Sequence, residues 1–444
     1  MDPVDPEIDL RWDPDPSWSP WTVGAPRGSK VLEDGLLEGL RRSTREELGL
    51  DPDRPVVVVG HQPVPWHPGI LAKFMAGDAV ARRRDAQLVH LVVDAHRGPF
   101  GLIEWPEGNG PDSLHTTGWQ CVDFDASTPM CRQPASGPLP PPVDGAAPEV
   151  LDGLRSWHEA LASFIDAPNA AMQFAGALDS LMDPWVGPRT TIAASTLLDT
   201  PFGRWMLNVI REDPRRCVDA CNQAIDGDPT LGIHRLADGG SGLELPFWID
   251  RGGVLDTALD GDLDSEGSLH PKALALTALA RFGLADLFIH GLGGWRYDVA
   301  MEHWIRSWLD VIPSPRAMVT ATMHLPLLDP SLLAVEQARL VQRSRRRRHD
   351  PESSEYGVGP GPTKQRVLDQ IALLPRSSQK RHEAYRSMHE WISSHAKSDE
   401  DGDLRAGRRL RELAAMQCRR TWAFPMYDGS RLDALRRHIH AACG

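Results

Sequence analysis

The sequence predicts an α/β protein with a Rossmann-like parallel sheet, a helical insertion and a helical, coiled-coil-like C-terminal segment. A strand, a helix and another strand follow one another between residues 56 and 93, which is the pattern of a βαβ unit with a right-handed crossover. The order strand, glycine-rich turn and helix returns between residues 285 and 309. Long charged helical patterns after residue 330 predict the C-terminal segment.

With 444 residues, the chain is long enough for two or three domains and at least one large core. The composition along the chain suggests five segments. They are an extended N-terminal arm (1–30), the first half of the core (31–131), a linker with a helical insertion (132–250), the second half of the core (251–330) and the helical C-terminal segment (331–444).

In the first half, leucines at helical spacing predict a helix over 31–49. Pro68 suits the first turn of a second helix over 68–84, where its missing N–H costs nothing. The arm before this half, rich in Pro, Asp and Trp, is expected to lack regular structure of its own. Apolar runs predict strands at 56–59, 87–93, 100–105 and 119–124.

The insertion begins with a proline-rich loop at 132–149 and ends with a short strand at 244–250. Helical spacing predicts helices between them at 150–166, 169–183, 188–197, 201–211 and 214–225. The second half is predicted to run helix, strand, helix and strand at 271–283, 285–294, 296–309 and 317–322. The C-terminal helices are expected to be interrupted by a disordered piece at 349–363.

Composition excludes several classes of protein. The formal net charge of −13 disfavours a general electrostatic attraction to nucleic acid, so no nucleic-acid partner is expected. No apolar run reaches the roughly 18 residues needed to cross a bilayer, so no membrane partner is expected. The acidic, proline-rich N-terminus is not a secretory signal, and a cytoplasmic location is expected. The six cysteines are spread without zinc-like spacing, so no structural metal is predicted.

Polar residues follow three predicted strands, at the strand ends where open α/β sheets bind ligands. This convergence predicts a binding site for a small-molecule substrate. The residues are Gly60, His61, Gln62 and His67 with Gly69 and Lys73 on the next helix, then Asp94, His96 and Arg97, and finally His290, Gly291, Gly293, Gly294, Arg296, Tyr297 and Asp298.

Several of these residues also have a structural interpretation. His61 could hydrogen-bond a neighbouring loop, His67 could cap the helix that follows it, and Asp94 could be a structural acid. Lys73 could be solvated on its helix. These alternatives stay open on the sequence alone.

The GLGG turn at 291–294 would let backbone N–H groups approach a phosphate or a carboxylate, with a helix N-terminus adding positive potential. It does not complete the dinucleotide pattern G-x-G-x-x-G. The chain also contains no G-x-S-x-G, P-loop or H-E-x-x-H motif, which disfavours serine hydrolases, P-loop NTPases and zincins.

Three stretches carry a family resemblance. In the first stretch, VGHQPVPWHPGILAKF, Gly60 and Gln62 match an element that ends a strand, and Gly69 matches the position that opens the next helix. The second stretch, LVVDAHRGPF, has its Asp94 and His96 at the end of the following strand. HGLGGWRY matches a late glycine-rich turn at Gly291, Gly293 and Tyr297. In these features the chain resembles the bacillithiol-biosynthesis cysteine-adding ligase family. It departs from that family at His61, at the Pro68-Gly69 order, and at His290 and Gly294.

The resemblance implies an enzyme that joins an amino acid such as cysteine to the amine of a sugar conjugate, with an ATP or ADP site nearby. On this hypothesis His61 or His96 is the base that takes the amine proton, tuned by Asp94. Gly291, Gly293 and Gly294 hold an anionic group, which Arg97 or Arg296 neutralises and Lys73 also reaches.

Other functions remain open. The chain could be a nucleotidyl- or glycosyltransferase, or a non-catalytic nucleotide- or sugar-binding protein using the same strand ends. The long charged C-terminal helices could pair between subunits and form a homodimer, although no clean heptad repeat persists.

Overall fold

The computed structural model describes residues 8–16, 21–28, 35–108, 110–142, 144–240, 242–265, 267–352, 361–395 and 400–443. These residues fall into two compact units. The first, which we call the sheet unit, lies within Met1–Trp105, Thr117–Met323 and Arg420–Gly444. The second, the helical unit, lies within Pro106–Thr116 and His324–Arg419.

The strands are, in chain order, β1 (Asp9–Asp13), β2 (Arg27–Gly28), β3 (Val56–His61), β4 (Gln87–Val92), β5 (Leu102–Glu107), β6 (His115–Gln120), β7 (Thr190–Ala193), β8 (Asp238–Gly239), β9 (Gly242–Asp250), β10 (Leu255–Leu259), β11 (Ser268–Pro271), β12 (Leu287–His290), β13 (Val311–Ile312) and β14 (Arg316–Thr322).

The α-helices are α1 (Leu36–Glu47), α2 (Pro68–Arg84), α3 (Pro148–Ser163), α4 (Ala170–Met182), α5 (Pro201–Glu212), α6 (Pro214–Asp226), α7 (Ala273–Leu279), α8 (Leu292–Leu309), α9 (Pro330–His349), α10 (Pro362–Ala372), α11 (Gln379–His395), α12 (Glu400–Gln417) and α13 (Gly429–Cys443). Short 3-10 turns occur at Met130–Arg132, Ala194–Asp199, Pro229–Leu231, Asp260–Asp264 and Phe424–Met426, and a π turn at Ala280–Leu284 extends α7.

The sheet unit is α/β, with a mixed, mostly parallel central sheet. Its strand order is β1-β14-β12-β3-β4-β7. Only the pairing of β1 with β14 is antiparallel among these neighbours. The four valines at 56–59 in β3 have no exposed surface. Such a continuous apolar run is typical of a parallel strand that is covered on both faces.

The chain leaves the two central strands in opposite directions. From β3 it passes through α2 to β4, and from β12 it passes through α8 to β14, on the other side of the pair. A crevice therefore opens between the carboxyl ends of β3 and β12, where connections diverge. Open α/β sheets bind ligands at such a point.

Two predictions about this unit are wrong. The N-terminal arm does have regular structure, because Asp9–Asp13 pairs with β14 as an edge strand. The helix predicted over 188–197 is instead β7, which pairs with Val89–Val92 of β4 and is followed by a 3-10 turn. Pairing with a buried strand overrides the local helical pattern, because two threonines and an isoleucine fit a strand well.

Other element boundaries shift. The strand predicted at 119–124 lies earlier, at His115–Gln120. The helix predicted from 296 begins at Leu292, so the GLGG turn forms its first turn. Residues 31–34 of the first predicted helix and 353–360 of the predicted disordered piece lie outside the described residues. Pro362, also within that piece, begins α10.

A buried ion-pair network attaches α1 to the sheet. Asp286, just before β12, accepts hydrogen bonds from Arg41 and Arg45, both at 2.7 Å. Its Oδ2 also accepts the backbone N–H of Val56 at 2.8 Å, so one carboxylate ties α1 to the start of β3. Burial lowers the pKa of Arg41 to about 10 although Asp286 opposes this.

A smaller sheet of β10, β9 and β11, with β8 beside β9, also belongs to the sheet unit. Its central strand carries Trp248. The last helix, α13, packs against α2. Within the described residues no helix is both long enough and apolar enough to cross a membrane.

The helical unit contains α9, α10, α11 and α12. Helix α9 packs against α12 and α11, and α10 packs against α11. A small apolar cluster of Leu114, Leu328, Leu413 and Met416 stabilises this unit. The coiled-coil character predicted for 331–444 stays a prediction.

Candidate functional site

A cavity of about 750 Å³ lies in the sheet unit at the carboxyl ends of β3, β4 and β12. This volume suits a small-molecule ligand. Most of the site residues predicted from the sequence line it. They are Gly60, His61, Gln62, His67, Gly69, Lys73, His96, Arg97, His290, Gly291, Gly293, Gly294 and Tyr297.

Three predicted site residues do not line the cavity. Both carboxylate oxygens of Asp94 accept hydrogen bonds from Ser195, from its backbone N–H at 3.0 Å and from its hydroxyl at 2.5 Å. Asp94 thus joins the end of β4 to the turn after β7, which is the structural interpretation. Arg296 is exposed on α8, and Asp298 is buried behind His290.

The end of β12 carries a histidine that a carboxylate orients. His290 Nε2 lies 2.8 Å from Asp298 Oδ2, which also accepts Arg281 Nη1 at 2.7 Å. Burial alone would raise the pKa of Asp298, but His290, Arg281 and Arg316 outweigh it and lower that pKa. Asp298 is therefore ionised and can only accept a hydrogen bond, so Nε2 carries the imidazole proton.

This arrangement keeps His290 neutral with one free lone pair. Burial lowers the pKa of His290, although Asp298 opposes the shift. With the proton on Nε2, the Nδ1 lone pair faces Gly294, where a Cβ would lie only 2.6 Å from Nδ1. Gly294 is therefore required for space, since any side chain would displace the ring. The His290–Asp298 pair has the geometry of an oriented general base.

The first turn of α8 supplies backbone donors. No side chain caps this helix, and its first intrahelical backbone bond runs from Trp295 N–H to the Gly291 carbonyl. The N–H groups of Leu292, Gly293 and Gly294 therefore precede the hydrogen-bonded ladder. All three residues line the cavity. Such a helix end favours an anion.

Two histidines between the end of β3 and the start of α2 have defined tautomers. His67 is the N-cap of α2, and its Nδ1 accepts the Gly69 N–H at 3.0 Å. Burial, with Arg420 and Lys73 nearby, lowers the pKa of His67 to about 4. His61 Nδ1 donates to the Gln62 carbonyl at 3.1 Å. Burial and then Lys73 lower the pKa of His61 well below its ordinary value. Both rings are therefore neutral at pH 7.

Gly69 is fixed by a close approach of two elements. A Cβ at this position would lie 2.6 Å from the carbonyl oxygen of Ala321 and 2.7 Å from the hydroxyl of Thr320. Both belong to β14, against which α2 packs. The glycine noticed in the sequence therefore serves helix-to-sheet packing at the edge of the cavity.

Lys73 crosses the crevice between the two central strands. Its Nζ donates to the carbonyl of Gly60, at the end of β3, at 2.9 Å. The side chain is 2% exposed, and burial lowers its pKa to about 7. Among the described residues it forms no ion pair.

Sequence reasoning missed Arg420. Its Nη2 donates to Thr320 Oγ1 at 2.9 Å and its Nη1 to Thr322 Oγ1 at 3.3 Å. Both threonines lie on β14, and Arg420 forms no ion pair with any described residue. Arg420 lines the cavity although it follows the whole helical unit in the chain. No local motif could therefore have indicated it.

Trp248 and Lys272 were also missed. The Trp248 ring lies 4.7 Å from Lys272 Nζ and 5.8 Å from the guanidinium carbon of Arg97. Lys272 forms an ion pair with Glu244 at 2.6 Å and is the N-cap residue of α7. The chain has only six lysines, and the position of Lys272 at the start of a predicted helix was the one weak indication of its role.

The charge of the lining is one-sided. Four lysine or arginine side chains and four histidines line the cavity, and none of its described lining residues is Asp or Glu. The lysines and arginines are Lys73, Arg97, Lys272 and Arg420. Helices α2, α7 and α8 all begin at this cavity. In a chain with net charge −13, this concentration of positive potential favours an anionic ligand.

No protein-family model matches the chain, and no curated protein is significantly similar to it. Within the part of the chain that the structure describes, no group of three or more His, Cys, Asp and Glu side chains is arranged to hold a metal.

Proposed function

We propose that this chain is an enzyme that binds an anionic small molecule at the carboxyl edge of its sheet and forms a carbon–nitrogen bond there. The observation that carries the proposal is the cavity lining, which has four basic side chains and no carboxylate among its described residues. A phosphate or carboxylate group on the substrate complements that lining. The neutral, carboxylate-oriented His290 supplies the base.

The fold supports the same proposal. The crevice between β3 and β12 lies where the connections diverge, and the uncapped start of α8 opens onto it. These features favour a Rossmann-like core with a nucleotide or other phosphate ligand near α8. ATP or ADP is the nucleotide we propose.

In its specific form, the reaction joins an amino acid such as cysteine to the amine of an anionic sugar conjugate. An amine attacks an activated carboxyl carbon, and a base must take the proton that the nitrogen loses. His290 is better suited to this step than His61 or His96, because Asp298 stabilises the imidazolium that forms. The α8 N–H groups and Arg420 would neutralise the leaving anion.

Two alternatives share this cavity. A nucleotidyl- or glycosyltransferase would also use the start of α8 and Arg420 to hold phosphates, and a binding protein would use them without turnover. A small-molecule substrate is common to all three. A homodimer through the C-terminal helices and a cytoplasmic location stay predictions.

The test is a product assay with Mg-ATP, cysteine and glucosaminyl-malate, followed by mass spectrometry for the amide and by measurement of released ADP or pyrophosphate. We expect amide formation that falls at least about 100-fold in His290→Gln. His115→Gln, at an exposed residue that does not line the cavity, is the control. Release of pyrophosphate without amide would favour the transferase, and saturable binding without product would favour the binding protein.

A further inference from the structure

Lys73 occupies the centre of the crevice. Its amine is hydrogen-bonded to the carbonyl of Gly60 at the end of β3, and its stem passes the end of β12. A Cβ added to Gly291 would lie 3.6 Å from Lys73 Cδ, so the side chain runs directly beneath the start of α8. Lys73 is therefore buried and also lines the cavity.

The two lysines of this cavity differ in their partners. Lys272 is neutralised by Glu244 at 2.6 Å. Lys73 has no carboxylate partner among the described residues, and its one hydrogen bond leaves two donor positions or a lone pair free. Burial without a counter-ion disfavours the ammonium form, which agrees with a pKa of about 7. At neutral pH much of Lys73 is a free amine, which is the nucleophilic form.

We propose that Lys73 is a nucleophile that forms an imine with the carbonyl carbon of an aldehyde or ketone that also carries a phosphate or carboxylate. The inference rests on the proposed anion site and not on the ligase reaction. Arg420 and the first turn of α8 hold the anionic group, and the Lys73 nitrogen attacks the carbonyl carbon beside it.

The step balances without any further reactant. The nitrogen lone pair forms the new C–N bond, and the carbonyl oxygen becomes the hydroxyl of a carbinolamine. The C–O bond then breaks, and both amine protons leave with that oxygen as water. The neutral imidazole of His290, which lines the same cavity, is available to carry these protons.

The probe is pyridoxal 5′-phosphate, an aldehyde with a phosphate group, added to the full chain at pH 7 with sodium cyanoborohydride. Peptide mass spectrometry then gives the rate of reduced adduct formation at each lysine. We expect Lys73 to react at least about tenfold faster than Lys272 or the exposed Lys380, because burial lowers the pKa of Lys73 to about 7 and leaves much of its amine neutral. Inorganic phosphate should slow the reaction at Lys73 alone.

Two variants keep the result interpretable. Lys73→Met should abolish the fast adduct, while Lys380→Met should leave it unchanged, and both should melt cooperatively. Absence of an adduct at Lys73, or reaction at the same rate as Lys380, overturns the inference. If phosphate still raises the melting temperature in that case, the proposed anion site survives. If phosphate has no effect either, the proposed function fails with it.

Discussion

His290 Nε2 and Asp298 Oδ2 lie 2.8 Å apart, and the carboxylate that holds this imidazole is itself held by Arg281. Arg281 also contacts Glu302 at 2.7 Å and donates to the carbonyl of Ser314. The ring is thus fixed by a buried network behind the cavity. That network sets both the tautomer and the direction of the free Nδ1 lone pair.

Gly294 and Gly293 provide a matched test of this geometry. A Cβ at residue 294 would lie 2.6 Å from His290 Nδ1, whereas a Cβ at 293 would meet nothing within 4 Å. We expect Gly294→Ala to destabilise the fold by about 1–3 kcal/mol through overpacking. Gly293→Ala should be neutral or stabilising by up to about 1 kcal/mol, because alanine favours the helix. Urea unfolding measures both, and equal effects would contradict the role of Gly294.

Removal of the carboxylate that links α1 to the sheet should be costly. Asp286→Asn leaves Arg41 and Arg45 buried without their counter-ion, and we expect a loss of about 3–5 kcal/mol in the free energy of unfolding. The control is Asp53→Asn, which removes the exposed partner of Arg42 and should change stability little. A loss in Asp286→Asn no larger than the small change expected for Asp53→Asn would show that the buried network does not stabilise the fold.

The buried histidines should make stability depend on pH. The unfolded-state pKa of histidine is about 6.5. Because the folded-state pKa values of His61, His67 and His290 are lower, the unfolded chain takes up more protons as the pH falls below about 6.5. Stability is therefore complete at pH 7 and is lost toward lower pH. For His67, with a pKa of about 4, the loss at pH 5 is up to about 2 kcal/mol.

His67→Asn isolates this effect. Asparagine can still accept the Gly69 N–H as an N-cap, but it does not titrate. We expect a smaller loss of stability between pH 7 and pH 5 than in the wild type. His115→Asn, at an exposed position, should keep the wild-type slope. An unchanged slope in His67→Asn would mean that the pKa of His67 does not differ between the folded and the unfolded chain, against the value lowered by burial.

The sequence indicates the three strand ends because an apolar run followed directly by polar residues or glycine marks each of them locally. The sequence could not indicate that Asp94 would accept hydrogen bonds from Ser195, because only the pairing of β4 with β7 brings these two residues together. The local sequence pattern also predicts a helix over 188–197, where the structure has β7. The register of a short strand depends on its neighbours more than on its own residues.

Arg420 shows a different limit. It enters the site from a segment that follows the helical unit, and its threonine partners lie on β14, far from it in sequence. The structural interpretation of His67 as a helix cap is confirmed, and that residue also lines the cavity. A residue can therefore have both roles, which the sequence alone presented as alternatives.

Thermal unfolding with and without anionic ligands tests the central claim most directly. The ligands are Mg-ATP, ADP, inorganic phosphate and glucosaminyl-malate, and the variants are Arg420→Gln and the exposed control Arg155→Gln. At about 100 times its dissociation constant, a bound ligand stabilises the fold by roughly 2.7 kcal/mol, which raises the melting temperature by several degrees. We expect such a shift in the wild type and in Arg155→Gln, and a much smaller one in Arg420→Gln. No shift from any anion, or an equal shift in Arg420→Gln, would contradict an anion site in this cavity.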